Sequence, residues 1–149
     1  MRRMMLFVSL LLAAAPLMAA GDGLVRTQSR YSVERTAQRL VQALEEKGMT
    51  VMAQVDHAAN ARRVGKELRP TRLVIFGNPR VGTPLMRCSQ TVAIDLPQKA
   101  LIWEDAEGVV WLAYNEPEYL AYRHGVAGCA DALAKVEAAL AGFARAATR

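Results

Sequence analysis

The chain has 149 residues, of which 52% are hydrophobic and 22% charged, and a formal net charge of +5. This composition excludes a disordered or collagen-like chain, and the length suffices for one ordinary domain with a core of its own. The two cysteines exclude a disulfide-dense scaffold and a four-cysteine zinc site.

The first twenty residues read as an export signal. Arg2 and Arg3 form a positive start, Leu6 to Ala15 is apolar except for Ser9, and Pro16 breaks the run before Met18-Ala19-Ala20. A positive region, a short apolar stretch and small residues are the pattern of a cleaved secretory peptide. The stretch falls short of the ~20 apolar residues a membrane-spanning helix needs. The expected product is a single α+β domain over residues 21–149, exported, periplasmic or secreted, with no transmembrane span after signal cleavage. Export leaves no role for nucleic acid as a partner, despite the basic charge, and brings the thiols to a compartment where disulfides persist.

From Gly23 to Arg30 the chain roughly alternates, which predicts a first strand. Ser32 is a helix cap, since its hydroxyl can accept a free backbone N–H. Val33, Ala37, Leu40, Val41 and Leu44 follow at helical spacing, and Gly48 ends the helix. Met49, Val51, Ala53 and Val55 alternate as a second strand, and Asp56 caps a short helix that stops at Gly65. Leu73-Val74-Ile75-Phe76 is a compact strand broken by Gly77-Asn78-Pro79. Thr83 followed by Pro84 predicts a helix start, because proline at the first helical position forfeits no hydrogen bond. Ala100–Glu104 and Val109–Tyr114 form a hairpin around Asp105-Ala106-Glu107-Gly108. Glu116-Pro117 opens a short helix ending near Gly125. Cys129, Leu133, Val136, Leu140 and Phe143 step by four and three along a last, long helix. The hairpin argues against an all-parallel sheet. The predicted fold is a two-layer α+β arrangement: a mixed or antiparallel five-stranded sheet, covered on one face by the first and last helices.

The segments FGNPRVGTPLM, AIDLP and WEDAEGVVWLAYNEPEYLAYRHG resemble the bacterial and archaeal family catalogued as domain of unknown function 302. The resemblance covers roughly residues 23–147 and rests on Gly77-Asn78-Pro79, Gly82-Thr83-Pro84, Asp95-Leu96-Pro97 and Arg123-His124 taken together. It implies a compact β-α-β4-α fold and a surface to suspect, and no reaction, since no activity is established for the family. Asn115-Glu116-Pro117 departs from the family's usual Asn-Asp-Pro; Glu is a poorer cap than Asp, and the fold is unaffected.

Several groups are candidates for chemistry. Gly77–Thr83 joins a strand to a helix, as phosphate loops do, but lacks the lysine of a Walker loop, and Pro84 removes a donor. A rigid turn explains it better. His57 and His124, the only histidines, could join Met86, Cys88 or Asp95 around a soft metal. No His or Cys spacing supports that, and a histidine at a helix C-terminus also favours the dipole. Cys88 and Cys129 are expected to form a disulfide, Cys129 lying on the apolar stripe of the last helix. Asp95 is the carboxylate best placed for a structural or ligand-facing role, and Arg80 and Arg87 are placed to meet an anion. Trp103, Trp111, Tyr114, Tyr119 and Tyr122 fit core or sheet surface better than a pocket. Arg62, Arg63, Lys66, Arg69 and Arg72, with Glu67 the only acid among them, fit a solvated face better than a lipid-binding one.

The resulting expectation is an exported binding module for a small ligand or a protein partner, without catalysis and without a cofactor or resident metal. Its site would gather His57, Asn78, Thr83, Met86, Asp95, Arg123 and His124 near the loop and helix of residues 77–88, on a chain open to homo-oligomer formation. The alternatives are an enzyme with His57 or His124 as general base, and an envelope metal-handling protein.

Overall fold

Strand-forming and helix-forming segments alternate along the chain, and the computed structural model, which describes residues 21–149, arranges them as an α+β fold. The expected export signal lies outside the described residues. The strands are β1 (Leu24–Ser29), β2 (Thr50–Asp56), β3 (Thr71–Gly77), β4 (Gln98–Glu104) and β5 (Val110–Asn115). The helices are α1 (Val33–Glu46), α2 (His57–Arg63), α3 (Pro79–Cys88), α4 (Pro117–His124) and α5 (Ala130–Thr148), with a 3-10 helix over Gln90–Ile94.

The sheet order is β1-β5-β4-β3-β2, and every neighbouring pair is antiparallel. Consecutive strands β2 to β5 pair in turn, and β1 closes the order by pairing with β5, which brings the two halves of the chain together. Alternation then divides the sheet. Val74, Phe76, Ala100, Ile102, Leu112 and Tyr114 are buried beneath α1 and α5. Leu73, Ile75, Leu101, Trp103 and Trp111 point to the other face and are only half-buried.

Local chemistry sets the helix limits. Ser32 Oγ accepts from the Arg35 N–H at 3.2 Å and starts α1, which buries Val33, Ala37, Leu40 and Leu44. Gly48, at φ +70°, turns the chain out of α1 into β2 with a backbone angle that a side chain disfavours. Asp56 caps α2 by accepting from the Ala59 N–H at 2.7 Å. On α5 the expected stripe is buried at Val136, Leu140 and Phe143, and Phe143 meets Phe76 edge to face at 6.2 Å. Three buried hydroxyls are paired: Ser29 and Thr36 share a 2.7 Å contact, and Thr148 Oγ1 donates to the Ala144 carbonyl.

One helix start differs from the sequence expectation. α3 begins at Pro79, capped by Asn78, whose side chain accepts from the Arg80 N–H at 2.9 Å; Pro84 lies inside the helix. Asn-Pro and Thr-Pro both satisfy the rule of a cap followed by proline, and the chain leaves β3 at Gly77, so the first pair takes the role. The helix expected to run toward Pro97 ends at Cys88, and the 3-10 turn carries the chain on to β4.

Candidate functional site

Two separate features occupy the end of the sheet where β3 passes into α3. The first is an open cavity of about 250 Å³ between the β2 start, α3 and the segment before β4. Its walls come from Met49, Met52, Asn78, Val81, Gly82, Thr83, Met86, Ala93, Leu96 and Pro97, among others, and include no Asp, Glu, His, Cys, Lys or Arg. The three methionines that follow residue 20 all line it. Met52 arrives there through a β-bulge: Val51 pairs with Phe76 and Ala53 with Ile75, leaving Met52 as the extra residue, half-exposed at the mouth. Bulges re-aim side chains in this way. Gly82 leaves room on the α3 side, since a Cβ there would meet only Leu96 and Met86 at ordinary contact distance. Asn78 is engaged structurally, donating to the Gly48 carbonyl at 3.1 Å while it caps α3.

The second feature is a polar cluster between the 3-10 helix and α4. Asp95 Oδ2 lies 2.6 Å from His124 Nε2 and 3.5 Å from Arg123. His124 Nδ1 meets Thr91 Oγ1 at 3.2 Å, and Ser89 Oγ donates to the His124 carbonyl at 2.8 Å. The His124 side chain is only 7% exposed, and both ring nitrogens are occupied. Lys99 Nζ closes the same turn, donating to the Asp95 and Pro97 carbonyls at 2.9 Å each. The cluster fastens the segment before β4 onto α4. A few residues away, Cys88 at the end of α3 and Cys129 at the cap of α5 have Cα atoms 6.4 Å apart and sulfurs at bonding distance. The expected pairing of the two cysteines is therefore the arrangement found.

The predicted site residues thus divide. Asn78, Thr83 and Met86 line the cavity, while Asp95, Arg123 and His124 form the polar cluster. His57 joins neither, which corrects the expectation that it approaches them. It follows Asp56, which pairs with Arg72 at one end of the β2–β3 ladder, whereas Asn78 follows Gly77, which pairs with Thr50 at the other. A strand's length separates them. The metal set proposed around the two histidines is dispersed for the same reason, and Cys88 faces Cys129. Among the described residues no group of three His, Cys, Asp or Glu side chains is placed to hold a metal.

Sequence reasoning missed Met49, Met52 and Leu96 in the cavity, and Ser89 and Thr91 in the cluster. The clustering of methionines at 49, 52 and 86 was the available signal; the two hydroxyls carried none. Of the aromatics, Tyr114 is core, Trp103 and Trp111 pair across β4 and β5, and Tyr119 covers Gly23, where a Cβ would collide with its ring. Tyr122 is 88% exposed. Residues 62–70 are exposed, with Arg69 donating to the Glu104 carbonyl, and Arg72 turns back to Glu34 and Asp56.

The profile of the family described as "Domain of unknown function DUF302" matches residues 25–143. Curated relatives include "Fluoride-specific ion channel FluC 1" of Brucella suis biovar 1 (strain 1330), 46% identical over 114 residues that cover 76% of this chain and 45% of that protein. The protein of the same name from Brucella abortus biovar 1 (strain 9-941) is also 46% identical, with 42% of its length covered. The chain spans less than half the length of these relatives, and no helix among the described residues is long and apolar enough to cross a membrane. Among solved structures, the "uncharacterized conserved protein DUF302 from Bacillus stearothermophilus" superposes with a TM-score of 0.76 at 17% identity, covering 85% of this chain and 98% of that one. That likeness establishes the fold.

Proposed function

This chain belongs to the family described as Domain of unknown function DUF302, and from that premise we propose that it is an exported binding module that takes a small, largely apolar ligand in the methionine-lined cavity and performs no catalysis. The observation that carries the reading is the cavity wall. It combines adaptable thioethers with Val81, Leu96 and Pro97, and it presents no titratable side chain to a ligand. General acid–base chemistry needs such a group within hydrogen-bond reach of the reacting atom. The one buried histidine nearby, His124, spends both ring nitrogens on Asp95 and Thr91. The N-terminal pattern and the paired cysteines support the exported part of this reading.

Titration with N-phenyl-1-naphthylamine, a probe that fluoresces in apolar surroundings, tests the site. Wild type is expected to bind it saturably. Gly82→Leu, which projects a side chain toward Leu96 and Met86, is expected to abolish binding while His124→Ala retains it. No saturable binding by wild type, or equal binding by Gly82→Leu, overturns the assignment.

A further inference from the structure

The outer side of α3 carries a second concavity. Pro79, Arg80, Thr83, Pro84, Arg87 and Cys88 line an open groove there. The helical repeat explains the division. Thr83, Pro84 and Arg87 follow Arg80 by three, four and seven residues and share its face, while Gly82, Leu85 and Met86 line the apolar cavity. Pro79 and Thr83, four residues apart, line both, so cavity and groove meet along one edge of the helix.

We infer that the ligand of the cavity is a medium-chain alkyl carboxylate, with its chain among the methionines and its carboxylate on the Pro79–Thr83 edge, facing Arg80 and Arg87. This rests on the apolar-ligand reading of the cavity and adds the charged head group. Three observations carry it.

The first is charge. Arg80 and Arg87 are exposed, and among the described residues neither is ion-paired. The chain has no acid from Leu68 to Ile94. Asp131, in the first turn of α5 close to the Cys88–Cys129 pair, pairs with neither arginine. Two uncompensated guanidiniums therefore line one groove, and a carboxylate matches their donor geometry. The amides at the start of α3 add nothing to this attraction: the Arg80 N–H donates to the Asn78 side chain, and the Val81 and Gly82 N–H groups donate to the Asn78 carbonyl.

The second is the contrast between the two concavities. The cavity wall holds no cation, so an ionised head group inside it would lose its water without gaining a counter-charge. At the shared edge the head group keeps contact with water, meets the exposed Thr83 hydroxyl, and lies on the arginine side. A wholly apolar ligand would leave that side unused.

The third is size. A methylene is about as large as a water, ~30 Å³ in the liquid, so the cavity of about 250 Å³ takes a chain of about eight carbons.

The test compares octanoate with octanamide, its neutral isostere, by titration calorimetry on the folded protein at low salt. Wild type is expected to bind both and to prefer octanoate by about fivefold, the scale of two solvent-exposed ion pairs; the preference is expected to shrink as sodium chloride is added. In the double variant Arg80→Gln, Arg87→Gln the two affinities are expected to become equal. In Arg63→Gln, Lys66→Gln, which removes the same charge from the far end of the sheet, the preference is expected to persist. Gly82→Leu is expected to lose both ligands. Equal binding of octanoate and octanamide by wild type overturns the inference and leaves the apolar cavity standing. A preference that survives loss of Arg80 and Arg87, or octanoate binding that survives Gly82→Leu, also overturns it. Absence of binding by octanoate, octanamide and N-phenyl-1-naphthylamine alike overturns the reading of the cavity itself, and this inference with it.

Discussion

His124 shows how single residues hold the candidate site in place. Its ring joins Asp95 on one side to Thr91 on the other, and its carbonyl accepts from Ser89, so three bonds fasten the segment before β4 to α4. Removing the imidazole leaves the mostly buried Asp95 carboxylate with only Arg123 at 3.5 Å. His124→Ala is therefore expected to lower the unfolding free energy by about 1–3 kcal/mol, read from urea denaturation; unchanged stability would show that the linkage is incidental. Asp105 is a different kind of anchor. The Trp111 indole N–H, then the Val109 and Glu107 amides, hold its carboxyl below the ordinary aspartate range. Because its folded-state pKa is depressed, its contribution is present above the ordinary aspartate pKa and is lost as pH falls through the depressed value. Carboxyl-carbon NMR should show Asp105 titrating below an unperturbed aspartate, and Asp105→Asn should remove that step from the acid limb of the stability profile. Neither arrangement could be read from sequence. Asp95 and His124 are both site residues in the sequence reading, but a separation of 29 positions hides that they touch.

At the scale of elements, capping and periodicity were legible where one cap competes with no other. Ser32 and Asp56 are such cases, and so is the apolar stripe of α5. α3 was misplaced by five residues because two cap-proline pairs lie within it. Pro84 is tolerated inside the helix although it cannot donate to the Arg80 carbonyl. The end of that helix is fastened to the start of α5 by Cys88 and Cys129, 41 residues apart. In the chain-entropy account a loop of this size restricts the unfolded chain enough for reduction to cost about 2–4 kcal/mol. Urea unfolding with and without reductant checks this; coincident curves would show that the pair adds no stability. The same fastening steadies one wall of the cavity, so reduced protein is the natural control for the probe titration.

Across the whole molecule, two surfaces have distinct origins. The cavity exists because β2, α3 and the segment before β4 meet at one sheet end, and its methionines come from two of those elements. The open face exists because α1 and α5 both pack on the opposite side. Hydrophobic spacing in the amino-acid sequence determined which segments are strands and helices, which flank of each is apolar, and that one sheet face would be covered by the first and last helices. These are local properties, set by the periods of 3.6 and 2 at which side chains return to one side. Only the tertiary structure decided that β1 pairs with β5, that His57 lies a strand's length from Asn78, and that the cavity and the Asp95–His124 cluster are separate. Those outcomes depend on strand order and register, which arise from contacts between residues far apart in the chain and leave no periodic trace along it.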